Sequence, residues 1–334
     1  MGEVKYELRT LQKVGSSLAV YVPKDWCEIN NLTKGSKITL RYGNNFLCVD
    51  LEDSSKTKGK IIEFDITSLP ENELKYLIIS FYVVGYERVK LVSHKKISLP
   101  LRRFILSVLK YAPRYSVIEE GENYIIIGEI GGVEDILEAL KREFHSAATV
   151  FKYTIEAFSN TSATLLDYYE SMNELDDEVD RAQVEVERAA YRLIEKPFSG
   201  ADRIKYIISA SIISTLLERL SDHLVLLIKE ASNGFLDVRK LSDYLHEFNT
   251  DYKVLFDIVD QITTKGFNTS NIPKTLSSLI HIIERKRVIR ESITKALYEK
   301  GYELVTYHVI RIYGIIADIA EVLVNLLMSL NPIG

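Results

Sequence analysis

The chain has 334 residues, of which 46% are hydrophobic and 27% charged, and its formal net charge is −5. This length and composition predict two or three folded domains and argue against a disordered chain. Its two cysteines, Cys27 and Cys48, form no CxxC pair, which argues against a zinc finger or a disulfide framework.

Positive charge is concentrated near the start of the chain. Residues 1–60 carry ten Lys/Arg and seven Asp/Glu, whereas the remaining residues carry 32 and 40. A basic head on an acidic body is compatible with a module that faces nucleic acid. An excess this small also arises by chance in a short segment, so the charge distribution alone leaves both interpretations open.

The first 53 residues predict a small β domain built around one helix. A Gly-Ser turn at residues 14–17 separates two strands, Pro23 opens a short helix, and a Gly-Asn-Asn turn separates two further strands. The predicted strands are residues 4–8, 18–22, 37–42 and 46–51, and the predicted helix is residues 24–30. A domain of about fifty residues is marginally stable alone and gains stability from dimerisation.

Residues 61–143 predict a small α+β domain, which follows a lysine-rich linker at residues 54–60. The predicted strands are residues 61–66, 88–92, 116–119 and 124–128, and the predicted helices are residues 71–83, 99–111 and 133–143. No glycine-rich phosphate loop occurs here, and Gly131-Gly132 indicates a turn rather than a nucleotide-binding motif.

Long helices with few breakers predict an all-α domain over residues 145–331. Breakers at residues 197–200, 233–234 and 266–269 divide it into six helices. A weak internal repeat at an offset of 96 residues aligns Asp222 with Asp318, which predicts two three-helix repeats, at about 145–233 and 235–331.

The most apolar late stretch, residues 304–330, carries Arg311, Asp318 and Glu321. These charges make it a poor membrane span and a good buried helix. The first seven residues are charged and have no apolar run typical of a signal peptide. We therefore expect a cytoplasmic protein without a membrane-inserted segment.

Two pairs of carboxylates stand out in the helical part. Asp176 and Asp180 are four residues apart in one predicted helix, and Glu218 and Asp222 are four residues apart in another. This spacing places each pair on one helix face. Two such helices together can hold a metal ion between hard oxygen ligands, although acidic runs more often form a solvated face.

These residues resemble a known family. The segment 218–223 is similar to a helix signature of PhoU domains, and 174–180 is similar to their acidic signature. The head, residues 8–26 followed by 32–35, resembles AbrB/SpoVT-type swapped-hairpin DNA-binding domains. The order of the two resembles that of archaeal PhoU-like phosphate uptake regulators and covers residues 1–53 and about 145–330.

The resemblance implies a dimer of interleaved hairpins that faces DNA, joined to a helical body that binds metal and partners in phosphate homeostasis. Several PhoU proteins hold multinuclear metal clusters, commonly of iron, and the corresponding ligands are Asp176, Asp180, Glu218 and Asp222. Carboxylates also suit Mg, Mn or Ca, so the metal is left open. The partners implied are DNA, a second copy of the chain, and phosphate transport or signalling proteins.

The second repeat departs from this pattern. Gly314 stands where the first repeat has Glu218, and the preceding segment, residues 284–290, has a net charge of +3. We therefore predict one metal site per chain instead of two.

In the head, Lys and Arg side chains are the expected contacts to DNA phosphates. The candidate DNA-binding residues are Arg9, Lys13 and Lys24, with Ser16 and Ser17 as hydroxyl donors from the turn. The alternative is a dimerisation module that no longer binds DNA. The leading hypothesis is accordingly a DNA-binding regulator of phosphate uptake, and the alternative is an adaptor that docks on a transporter or signalling partner.

Catalysis has little support in the sequence. The six histidines form no HExxH motif, and no GxSxG or Walker A motif occurs, so we expect no enzyme. Among the remaining polar groups, we expect His223 to be a partly buried histidine with satisfied hydrogen bonds. We expect Asp177 and Glu178 to pair with helical neighbours, and Trp26 to lie in the core of the head.

Overall fold

The structure, a computed structural model, describes residues 7–42, 47–51, 61–132, 135–159, 164–195, 201–232, 238–265, 272–297 and 302–330. The chain divides into two compact units, Met1–Lys60 and Ile61–Gly334. The predicted turn at residues 43–45, the linker and the helix breakers at 197–200, 233–234 and 266–269 lie outside the described residues.

The first unit consists of two antiparallel hairpins and one short helix. Gly15, at a φ of 64°, turns the first hairpin, and Val14 pairs with Ser17 across it. Its elements are β1 (Gln12–Val14), β2 (Ser17–Ala19), α1 (Lys24–Ile29), β3 (Ile38–Tyr42) and β4 (Leu47–Leu51).

The first hairpin is shorter than the sequence predicts. The turn lies where we expected it, but β1 begins at Gln12, and no strand includes residues 7 and 8. The rest of the predicted strand at 4–8 lies outside the described residues. The two-residue turn pairs the residues directly beside it, so the first strand lies closer to the turn than strand composition suggested.

No described residue of the first unit is buried. Twelve large hydrophobic side chains are exposed instead, among them Leu18, Tyr21, Ile29 and Tyr42, which are 60–80% exposed. A single copy therefore buries almost no apolar surface, although burial of such surface is the main source of folding stability.

The α+β region has a four-stranded sheet with the strand order β5-β6-β8-β7. β5 and β6 are parallel, and the other neighbouring strands are antiparallel. Its elements are β5 (Ile62–Asp65), α2 (Glu71–Val84), β6 (Arg88–Val92), α3 (Leu99–Val108), which continues as a 3-10 turn (Leu109–Tyr111), β7 (Tyr115–Glu120) and β8 (Tyr124–Glu129).

One face of this sheet packs against α2 and α3. Alternate residues Val89 and Leu91 of β6 meet Ile78 and Tyr82 of α2 in one core, as expected for strands with one buried face. The ends of the helices follow the local sequence. Gly85 adopts a left-handed conformation after α2, and the Ser98 hydroxyl caps α3.

Six long helices follow in the described part of the chain, in agreement with the predicted all-α region. They are α4 (Ile136–Ser159), α5 (Leu165–Glu195), α6 (Ala201–Ser232), α7 (Val238–Lys265), α8 (Ile272–Leu297) and α9 (Glu303–Leu330). α6 packs against α4, α5 and α9, and all six helices contribute to one continuous hydrophobic core.

α4 differs from its prediction. We predicted a helix at residues 133–143 and placed a domain boundary just after it, whereas Ile136–Ser159 is one continuous helix. Residues 144–159 contain no proline or glycine, and their apolar spacing continues that of the preceding turns. The α+β region and the first long helix are therefore joined without a break at residue 143.

One helix segment among the described residues, Glu303–Ser329, is long and apolar enough to cross a membrane. Most of it is buried inside the protein, where it packs against α6 and α8. This is the environment of a core helix, in agreement with the expectation for residues 304–330.

Candidate functional site

The four predicted carboxylate ligands lie together between α5 and α6. Asp176 and Asp180 are on α5, Glu218 and Asp222 are on α6, and all four are partly buried. The buried Ser221 hydroxyl donates a hydrogen bond of 2.6 Å to Asp176 Oδ1 and fixes one member of the group. These four side chains are called the acidic cluster below.

The electrostatics of the acidic cluster are unfavourable without a cation. Burial, together with repulsion from the other three carboxylates, raises the pKa of Glu218 to about 7. Burial and repulsion from Asp222 and Asp180 raise the pKa of Asp176 to about 6, despite the Ser221 hydrogen bond. Burial also raises the pKa of Asp180 and of Asp222. A bound cation would offset both effects.

The carboxylates are near one another but do not form a closed coordination shell. Among the residues that the structure describes, no group of three or more His, Cys, Asp or Glu side chains is arranged to hold a metal ion. The chemistry of the acidic cluster, four carboxylates without nitrogen or sulfur, fits a hard cation. Binding would require side-chain rotations that draw the oxygens together.

A fifth carboxylate lies deeper and was missed from the sequence. Glu143 of α4 is fully buried, and neither of its carboxylate oxygens has a hydrogen-bond partner. Burial raises its pKa well above the usual value, and repulsion from Glu187, Glu218 and Asp180 adds to this. The Ser214 hydroxyl lies close enough to lower the pKa slightly but forms no hydrogen bond with good geometry. Glu143 belongs to no i,i+4 acidic pair and lies outside the segments that resemble the PhoU signatures, so neither signal for ligands identifies it.

The α+β region contacts α5 beside the acidic cluster. Lys110 Nζ and Tyr111 Oη each lie 3.1 Å from the Asp177 carboxylate, and Lys75 lowers the pKa of Asp180. Glu178 pairs with Arg181 one turn along the helix, as predicted. The prediction that Asp177 pairs within its own helix is wrong, because its partners Lys110 and Tyr111 belong to the α+β region. The sequence did not show that this region lies against α5.

In the second repeat, the aspartate that aligns with Asp222 pairs with a lysine. Lys286 of α8 pairs with Asp318 of α9, whereas in the first repeat Asp176 of α5 faces Asp222 of α6. A Cβ atom added to Gly314 would lie 4.0 Å from Lys286 Cε. The Lys286 ammonium therefore lies beside Asp318, the carboxylate that aligns with Asp222. Arg311 of α9 has no ion pair among the described residues.

His223 of α6 contacts His308 of α9. The two Nδ1 atoms are 2.9 Å apart, and the rings join α6 to α9. Burial lowers the pKa of both imidazoles, and that of His223 falls to about 4. The expectation of a partly buried histidine with a satisfied hydrogen bond is confirmed, and its partner is a second histidine.

The candidate DNA-binding side chains are exposed in the first unit. Arg9 precedes β1 and pairs with Glu7, Lys13 lies in β1, and Lys24 begins α1, where its Nζ lies 3.4 Å from Glu28. The two hydroxyl donors, Ser16 and Ser17, occupy the turn and the start of β2. Lys13 pairs with Leu18 across the hairpin, next to the pair of Val14 and Ser17, while Arg9 and Lys24 are engaged by carboxylates of the same chain.

Trp26 is not a core residue within one copy of the head. Its side chain is partly exposed and lines an open groove of about 790 Å³ together with Arg9, Tyr21 and Ile29. We expected Trp26 in the core of a head that gains stability from dimerisation. The described residues of one copy form no such core, so the apolar wall of this groove is open to solvent.

Comparisons with known families match two parts of the chain. Residues 140–231 match the PhoU domain, and residues 11–57 match the antidote-toxin recognition domain of MazE, a bacterial antitoxin. No curated protein matches the chain. The PhoU match runs from α4 to the end of α6, so it covers the three helices that carry the acidic cluster and Glu143 but not the second repeat.

Proposed function

We propose that this chain, which joins a MazE/AbrB-type N-terminal domain to a PhoU domain, is a cytoplasmic, homodimeric regulator of phosphate uptake. Its head would bind DNA, and its helical body would bind a metal ion. The observation that carries the proposal is the presence of both domains in one chain, because the PhoU domain suggests phosphate homeostasis and the head suggests DNA binding. Neither domain family is catalytic, which supports a role in binding rather than in chemistry.

None of the described residues of the head is buried, which supports dimerisation. Twelve large apolar side chains are exposed there, and the groove beside Trp26 provides an apolar surface for a second copy. Interleaving two copies would bury this surface and supply the missing core. The head accounts for dimerisation in the regulator and in the alternative adaptor, so it does not decide between them.

DNA binding is the property that separates the two functions. We propose that Arg9, Lys13 and Lys24 contact phosphates and that Ser16 and Ser17 donate hydrogen bonds from the turn. Lys13 supports this best, because it is exposed in the strand that leads into the turn and has no ion pair among the described residues. Phosphate contacts of this kind give binding that weakens steeply with salt.

The test is a gel shift with the full-length protein at two salt concentrations. The DNA probes are the upstream regions of its own gene and of phosphate-transport genes. The regulator predicts a specific, salt-sensitive shift that is lost in the Arg9→Ala/Lys13→Ala variant. The control, Lys95→Ala/Lys96→Ala, removes the same charge from exposed positions of the α+β region and should leave the shift unchanged. The absence of any shift favours the adaptor.

We propose that Asp176, Asp180, Glu218 and Asp222 hold the metal, which would be iron or a hard divalent cation such as Mg, Mn or Ca. Their convergence between two helices and their raised pKa values support a cation site. The metal would supply the positive charge that the acidic cluster lacks. Elemental analysis after purification and manganese titration should give one site per chain, lost in Asp222→Asn. Two equivalent sites, or none after reconstitution with iron or manganese, would contradict the proposal.

A further inference from the structure

The histidine pair that joins α6 to α9, His223 and His308, has no role in the function proposed above. His308 is only 7% exposed, and His223 is partly exposed beside the ring of Tyr307. Both are ring-nitrogen donors held on long, well-packed helices. We propose that His223 and His308 form a binding site for a divalent transition-metal ion, separate from the acidic cluster and independent of whether that cluster binds metal.

The distance between the two nitrogens suits two ligands of one ion. The Nδ1 atoms are 2.9 Å apart, and with metal–nitrogen bonds of about 2.0–2.1 Å they subtend an angle of about 90° at the metal. That is the angle between adjacent ligands in the tetragonal geometry of Cu²⁺ and Ni²⁺, whereas tetrahedral Zn²⁺ requires a wider one. Imidazole also suits these ions better than the oxygen-binding Mg²⁺ or Ca²⁺.

Metal binding requires a proton shift within one ring and a rotation of the rings that turns both Nδ1 lone pairs toward the ion. In the hydrogen-bonded pair, one Nδ1 carries a proton and the other accepts it. Moving that proton to Nε2 of the same ring leaves both rings neutral and frees both Nδ1 lone pairs. Burial lowers the pKa of His308, which favours the neutral form that a metal needs. Water would complete the coordination, because the chain provides two ligands here.

The two candidate sites differ in chemistry and in the helices that they join. The acidic cluster joins α5 to α6 through oxygen donors, whereas the histidine pair joins α6 to α9 through nitrogen donors. Glu230 acts on His308 and raises the pKa of that histidine, against the larger effect of burial. Arg311 acts on His223 in the opposite direction. A hard cation and a nitrogen-preferring ion should therefore distinguish the two sites.

The test is nickel binding measured by calorimetry on full-length protein without a polyhistidine tag. We expect one Ni²⁺ per chain, with the affinity at least about 10-fold weaker in His308→Asn. Asparagine keeps a hydrogen-bonding group near His223, but its amide is a much weaker Ni²⁺ ligand than imidazole. His246→Asn, at an exposed position of α7, is the matched control and should bind as the unmodified protein does. Glu218→Gln should also leave nickel binding unchanged while it weakens manganese binding.

Copper spectroscopy gives a second measurement that does not depend on how well the variants fold. The electron paramagnetic resonance spectrum of the unmodified protein with one equivalent of Cu²⁺ should show coupling to two nitrogens. A spectrum from oxygen ligands alone would overturn the proposal, as would nickel affinity unchanged in a folded His308→Asn variant. Loss of nickel binding in Glu218→Gln would show that the ion occupies the acidic cluster instead.

Discussion

Replacement of Glu218 by glutamine is expected to stabilise the metal-free protein and to weaken its stabilisation by metal. In the folded chain, burial and three neighbouring carboxylates raise the pKa of Glu218 from 4.5 to about 7. At about 1.4 kcal/mol per pKa unit, ionisation of this group at alkaline pH destabilises the fold by about 3 kcal/mol. Since the side chain is partly exposed, solvent screens part of the effect, and we expect about 1–2 kcal/mol.

The pH dependence of this effect follows from the direction of the pKa change. A carboxyl whose pKa is raised in the folded state binds its proton more tightly there than in the unfolded chain. Its destabilising contribution is therefore absent below the usual pKa of 4.5 and fully present above about 7. Glu218→Gln should raise the free energy of unfolding at pH 8 and change it much less at pH 5.

The assay is urea unfolding followed by circular dichroism in the presence of a chelator, repeated with manganese. Glu174→Gln is the control, because it makes the same substitution at an exposed position of α5. Added manganese should raise the stability of the unmodified protein and of the control more than that of Glu218→Gln. A destabilised Glu218→Gln variant at pH 8, or an equal effect at both pH values, would refute the reasoning about the acidic cluster.

Three further predictions concern stability, each measured by urea unfolding. Burial raises the pKa of Glu185 to about 7, so its contribution to stability falls as pH rises from about 4.5 to 7, and Glu185→Gln should flatten that slope. Lys286→Ala leaves its partner carboxylate on α9 unpaired and should destabilise by about 1 kcal/mol, more than Arg287→Ala, whose ion pair is exposed. Gly85→Ala places a side chain at a φ of 97° and 3.1 Å from an arginine carbon, so we expect a loss of about 1–2 kcal/mol, against almost none for Gly132→Ala, which has open space.

Local sequence signals predicted most of the secondary structure. In the α+β region, β6 has its predicted bounds and α2 extends one residue further, to Val84, because Pro70 and Gly85 mark its two ends. The predicted end of α4, at residue 143, was wrong. No breaker stands near residue 143, so the change from one region to the next lies inside a single helix.

The acidic cluster shows what periodicity reveals about a site and what it does not. The i,i+4 spacing places each pair on one helix face, and the structure brings both pairs together between α5 and α6. Glu143 comes from a third helix as a single buried acid, and Lys110 comes from the α+β region. The positions of both depend on tertiary packing, which no local pattern encodes.

The sequence pattern also did not predict that the apolar residues of the head are exposed in one copy. Alternating apolar residues predict strands with one buried face, yet Leu18 and Leu40 are 66% and 53% exposed in one copy. The same pattern serves equally well for a face that is covered by a second chain. Periodicity identifies the face that is buried but not the molecule that buries it.

α5 connects the acidic cluster to the α+β region, and this gives that region a physical role in the proposed regulator. Asp176 belongs to the acidic cluster, while the next residue, Asp177, is bound by Lys110 and Tyr111. Further along α5, Glu185 accepts a 2.6 Å hydrogen bond from Arg114 Nε and one from the Tyr82 hydroxyl. Because these contacts hold α5 at Asp177, beside the acidic cluster, and at Glu185, a cation bound in the acidic cluster acts on a helix that is also bound to the α+β region. Any movement of α5 must therefore either break these contacts or carry the α+β region with it.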